Sequence, residues 1–129
     1  MPRSLTPSLR VDIRWLLQQH ELALPDQPVV SDFSALVAAV ARHRVDPPRL
    51  GVDSDPAWRA ASLLHTLVLL KPLPTFNVRF ACAVTIAYMH ASGEGIDAPY
   101  GALIELTKEI LAGKADVFEA ADRIRSWRI

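Results

Sequence analysis

The chain has one cysteine, Cys82, among 129 residues, so no internal disulfide is available. That fits a reducing compartment, with the cytoplasm as the expected location. It also lacks a charge of one sign: 14 basic residues balance 14 acidic ones. Without a basic excess, direct nucleic-acid binding is not expected. The longest apolar runs fall short of the roughly 20 residues that a membrane-spanning helix needs. No N-terminal segment pairs basic residues with an apolar run in the manner of a leader. A soluble protein without a membrane partner is expected. Four histidines and one cysteine show no ligand spacing, so no metal site is expected. Ser62 and Ser92 have no nucleophile motif around them, which leaves hydrolase chemistry unsupported. Internal repeats, low-complexity tracts and sustained heptads are also missing.

What is present is apolar residues at helical spacing, half the chain being hydrophobic. A chain of this length suits one domain, residues 1–129, with a single core. Thr6 and Pro7 read as a cap and first-turn proline, opening a helix that carries Leu9, Ile13, Leu16 and Leu17 to about Glu21. Leu22 to Val30 is a linker with two prolines. Ser31 or Asp32 caps a second helix, in which Phe33, Leu36, Val37 and Val40 recur at helical spacing. Arg42, His43 and Arg44 read as its solvated basic end. DPPRLGVDSD, from Asp46 to Asp55, is an exposed connection.

Asp55 and Pro56 open a helix through Leu70 that turns Trp58, Ala61, Leu64, His65 and Val68 inward. His65 on that apolar face reads as a core histidine bonded to backbone. Phe80 to Ala91 is apolar nearly all round, the mark of a helix enclosed by others, and is expected to be the central helix. Gly93 and Gly95 stop it. A helix from about Pro99 to Ala112 carries Leu103, Leu106 and Ile110 before Gly113. Asp116 with Glu119 resembles a capping box, with Asp in place of the usual Ser or Thr, and starts a last helix with Val117, Ala120, Ile124 and Trp127. The fold class is all-α: a compact bundle of about six helices around a central buried helix.

Between the third and fourth helices lies KPLPTFNVR, Lys71 to Arg79. A loop that feeds a helix start is a natural anion site, because first-turn N–H groups are unpaired and carry the positive end of the helix dipole. Asn77 and Arg79 stand at that start. The plain alternative is that Asn77 caps the helix and Arg79 pairs with a carboxylate.

The segments VVSDFSALVAAVARHR and PAWRAASLLHTLVLLKPLPTFNVRFACAVTIAYMHASGEGIDAP resemble the Fic/Doc (Fido) family. The likeness is greater to short Doc-type toxins than to longer Fic enzymes, and covers roughly residues 30–127. The family loop reads H-x-F-x-D/E-G/A-N-K/G-R, and aligns here without gaps. The resemblance implies that Asn77 and Arg79 contact nucleotide phosphates, with ATP and magnesium as cofactors of any transferase activity. Lys71 stands where the family has its catalytic histidine. A lysine remains protonated at neutral pH unless burial lowers its pKa greatly, so Lys71 attracts phosphate but is not expected to act as a base.

Other positions depart in the same direction. Thr75 replaces the acidic residue that resembles a magnesium ligand, and a neutral hydroxyl is a weaker partner for that cation. Leu73 replaces an anchoring phenylalanine. Phe76 replaces a small residue and places a ring where backbone would approach phosphate. Val78 replaces a lysine or glycine, and Pro74 deletes an amide donor.

The expected function is therefore that of a Doc-like member of a toxin–antitoxin system with an impaired site, a pseudoenzyme that acts by protein binding. The alternative is an active ATP-dependent phospho- or nucleotidyl-transferase that modifies a protein hydroxyl. A structural role within an oligomer or larger assembly is a third possibility. Doc-type toxins are held by an antitoxin helix in a groove near the loop, which makes a protein partner the expectation. Trp15, Trp58 and Trp127 are candidates for that surface, with core packing as the alternative. The self-inhibitory motif of longer Fic proteins is not found, so control is expected from outside the chain.

Overall fold

The computed structural model describes residues 8–26 and 29–129. It contains α1 (Ile13–Ala23), α2 (Phe33–Arg44), α3 (Pro56–Leu70), α4 (Asn77–Ala91), α5 (Ala102–Leu111) and α6 (Val117–Trp127). These share one hydrophobic core, so the chain is an all-α single domain. Among the described residues the only strand-like pairing is an antiparallel bridge between Ile96 and Arg128.

Aspartates set four of the helix starts. The side chains of Asp12, Asp32, Asp55 and Asp116 accept from the backbone N–H of Trp15, Ser34, Trp58 and Glu119 respectively. Each such cap contributes about 1 kcal/mol, which explains why the starts of α2, α3 and α6 could be read locally. Asp55 does more: Arg125 Nε and Nη2 donate to its two oxygens at 2.7 and 3.0 Å, fastening the start of α3 to the end of α6. α5 begins three residues later than expected, after Gly101 at φ 79°.

The first helix departs from expectation. Thr6 and Pro7 lie outside the described residues, and Leu9 precedes α1 rather than forming part of it. Residues 8–12 form a strap whose backbone polar groups find partners on other elements. Tyr88 Oη donates to the Leu9 carbonyl at 2.6 Å, and Arg44 Nε and Nη2 donate to the Val11 carbonyl at 3.2 and 3.0 Å. The Val11 N–H donates to His43 Nε2 at 2.9 Å. These bonds substitute for a helical ladder that residues 8–11 do not make.

α3, not α4, is the central helix. It packs against α2, α4, α5 and α6, whereas α4 meets α1, α3 and α5. Eleven α3 residues are buried, among them Arg59 and Ser62, while Ile86 on α4 is 48% exposed. Small alanines made α4 look apolar all round, but their burial requires little enclosing structure. On α2, Phe33 and Val37 are exposed, and the buried face is built from Ala35, Leu36, Ala39 and His43.

His43 corrects the reading of a solvated basic end: it is fully buried. Because Nε2 accepts from Val11, the proton of the neutral ring must sit on Nδ1, which donates to the Val40 carbonyl. Nearby, Arg59 Nη1 donates to the His43 and Val45 carbonyls at 2.7 and 3.3 Å, and its Nη2 meets Asp46 at 3.0 Å. Trp58 Nε1 also donates to the Val45 carbonyl. The His43 and Val45 carbonyls, at and just beyond the end of α2, are thus satisfied from α3.

Burial first, and then the charges of Arg44 and Arg59, hold the His43 pKa below its ordinary value of 6.5 despite the Val40 bond. The unfolded chain therefore takes up a proton at a pH where the folded chain does not. Stability is predicted to fall as pH drops below about 6.5, with His65 adding in the same direction because burial and Arg42 lower its pKa too. Urea unfolding between pH 7 and 5 measures this slope, and His43→Gln should flatten it. A wild-type curve unchanged over that range would contradict the buried neutral ring.

Candidate functional site

Lys71 to Phe76 connect α3 to α4, and both ends of the segment are conformationally unusual. Lys71 (φ 51°) and Phe76 (φ 64°) are the only non-glycine residues with positive φ among those described. Such backbone costs of order 1–3 kcal/mol per residue and persists only where the surroundings enforce it. Two contacts do so here. The Pro72 carbonyl accepts from the Ser31 and Asp32 N–H groups at 2.8 and 3.1 Å, and from Ser31 Oγ at 3.1 Å, tying the loop to the start of α2. Within the loop, Asn77 Oδ1 accepts from the Leu73 N–H at 2.9 Å while its Nδ2 donates to the Leu73 carbonyl at 2.7 Å. Leu73 itself is buried in the core.

Asn77 therefore neither caps α4 nor presents its full amide to a ligand. It closes a ring with Leu73, and one Nδ2 hydrogen is left over. α4 starts from Phe76 with no side-chain cap, and the first bond of its ladder runs from the Phe80 N–H to the Phe76 carbonyl. The N–H groups of Asn77, Val78 and Arg79 thus head the helix without a side-chain partner, at the positive end of its dipole. Arg79 is exposed beside them and pairs with no carboxylate among the described residues, contrary to the plain alternative of an ion pair.

Lys71 and Thr75 are exposed as well. For Lys71 this is the environment of a solvated lysine rather than of a buried base. The sequence-derived residues Lys71, Thr75, Asn77 and Arg79 thus occupy one short loop and helix start, with only Asn77 engaged in the fold. Among the described residues no group of three or more His, Cys, Asp and Glu side chains could hold a metal ion. Cys82 lies in the next turn of α4. Burial pushes its thiol up to about 11, so it remains a thiol at neutral pH and is a poor nucleophile.

Five large apolar side chains of the loop and of the helices beside it are exposed as well. Leu69, Leu70 and Phe76 are 43%, 48% and 42% exposed, and Phe33 and Val37 stand out from the α2 end to which Pro72 is tied. The tryptophans are not among them: Trp58 is buried, and Trp15 and Trp127 are partly buried against the core. Sequence spacing did not pick out the exposed five, because isolated leucines at a helix end look like core.

His65 is half-buried rather than sealed in the core, and it bonds to a side chain instead of backbone, with Arg42 Nη1 2.8 Å from its Nδ1. No helix among the described residues is long and apolar enough to cross a membrane. Comparison with known proteins finds no matching family model, no matching curated protein and no matching solved structure.

Proposed function

We propose that the chain is a Doc-like protein whose α3–α4 loop receives an anionic group at the start of α4 but has lost transferase chemistry, and that it acts by binding a protein. The observation that carries this reading is the loop itself. Its strained backbone holds an uncapped helix start beside Arg79, and neither the first N–H groups nor Arg79 has a partner among the described residues. Lys71 ends α3 in the left-handed conformation common after helices, whereas Phe76 adopts it at a helix start, and strained non-glycine residues cluster at functional sites. The position of the family's base holds an exposed Lys71, and the position of its acidic metal partner holds an exposed Thr75. Neither side chain is the imidazole or the carboxylate that the family loop carries.

The exposed apolar side chains of Phe33, Val37, Leu69, Leu70 and Phe76, carried by the loop and the two helices it is joined or tied to, support protein binding, because such side chains suit an amphipathic helix. An antitoxin-like helix is the proposed partner and ATP the proposed source of the anion. Calorimetry with ATP and magnesium tests the anion site. Weak binding, lost at high salt and in Arg79→Ala, is expected, with no transfer to protein hydroxyls. Lys71→His combined with Phe76→Gly restores a base and a small residue, and transfer by this variant would mark a site that lost only its chemistry. Tight ATP–magnesium binding with turnover by the unmodified chain would favour the active-transferase alternative.

A further inference from the structure

Away from the loop, Arg42 near the end of α2 differs from the arginines that pair with carboxylates. Arg59 meets Asp46, Arg123 meets Glu109, and Arg125 and Arg128 meet Asp55. Arg42 is half-buried yet pairs with no carboxylate, although every Asp and Glu of the chain lies within the described residues. Its Nη1 is used by two neutral acceptors on α3, His65 Nδ1 at 2.8 Å and Thr66 Oγ1 at 3.3 Å. A guanidinium can only donate, so His65 Nδ1 must be the bare nitrogen and Nε2 carries the ring proton.

This clamp fixes the plane of the guanidinium while leaving its charge uncompensated. Nε and Nη2 make no bond within the described residues, and neither is a buried atom lacking a partner, so both reach solvent. The Nε–Nη2 edge is the one that matches two oxygens of a carboxylate or phosphate side by side. Partial burial weakens water's competition for that edge, which makes an external anion a stronger partner than at a fully solvated arginine.

We propose that Arg42, held by His65 and Thr66, is an oxyanion receptor whose Nε–Nη2 edge takes two oxygens of a carboxylate or phosphate group from outside the chain. The site is built from α2 and α3 side chains and stands independently of the α3–α4 loop. His65 is its positioning residue: a protonated ring would set two donors against each other and release Nη1. Burial and then Arg42 keep the His65 pKa low, against the opposing pull of Asp116.

The test is nitrogen NMR of the full chain, following Arg42 Nε–H and the His65 ring, titrated separately with inorganic phosphate and with acetate, with chloride keeping ionic strength constant. A saturable shift at Arg42 with either anion is expected, and the two titrations show which oxyanion is preferred. Because a bound anion offsets the charge of Arg42, the His65 midpoint should also rise toward 6.5. Arg42→Lys, which keeps the charge but loses the fork, should weaken binding by about tenfold. His65→Gln reports independently if the lysine variant fails to fold, since freeing Nη1 from its clamp should weaken binding as well. Linear, unsaturating shifts at Arg42 equal to those of the surface residues Arg10 and Arg14 would overturn the proposal, as would an unmoved His65 midpoint.

Discussion

Leu64→Ala is expected to lower the unfolding free energy by about 2–5 kcal/mol, while Ile86→Ala should change it by no more than about 0.5 kcal/mol. Leu64 is fully buried on α3, the helix that meets four others, and truncating it leaves a cavity that none of those neighbours can readily fill. Ile86 belongs to α4 and is 48% exposed. If α4 were enclosed on all sides, as its composition suggests, the two substitutions would cost similar amounts. Urea unfolding monitored by tryptophan fluorescence decides the matter, provided the slope with denaturant is unchanged so that both variants refer to the same unfolded state. Equal losses in the two variants would rule against α3 as the hub.

The second large effect separates two residues that sequence reasoning placed side by side. Asn77→Ala removes both bonds to Leu73 and leaves an N–H and a carbonyl without their partner. A cost of about 2–4 kcal/mol is expected, together with loss of any anion binding, because the strained turn at Phe76 loses its closure. Arg79→Ala should leave stability within about 0.5 kcal/mol of the parent, since the side chain is exposed and pairs with none of the described residues, yet abolish the binding. Thermal unfolding paired with calorimetry reads both quantities. The assignment of Asn77 to the fold and Arg79 to the ligand fails if the alanine at 79 destabilises as much as the alanine at 77.

The loop also shows why family-style motif reading has a physical limit. An asparagine and an arginine two residues apart look equivalent on a helix start. The geometry instead gives the first to Leu73 and leaves the second in solvent. Residue identity alone does not reveal that difference: the Asn77–Leu73 ring depends on the backbone path between them, and that segment is tied through Pro72 to Ser31 and Asp32 on another element. Likewise Arg42 and His65, 23 positions apart, give no local sign of their contact.

By itself the sequence determined the helical class, the bounds of α3 at Asp55 and Leu70, the cap at Asp116, a cap at Ser31 or Asp32 for α2, and the break between α3 and α4. These depend on neighbours within a turn: a carboxylate reaching an N–H two or three residues on, or a proline that cannot donate. Tertiary structure alone decided that α3 is central, that His43 is buried, and that residues 8–12 form a strap rather than a helical turn. The physical reason is that burial of a polar side chain depends on a partner supplied from elsewhere. Val11 gives His43 a donor, and the His43 and Val45 carbonyls with Asp46 give Arg59 its acceptors. Hydropathy counts such residues as exposed until the fold brings those partners within reach.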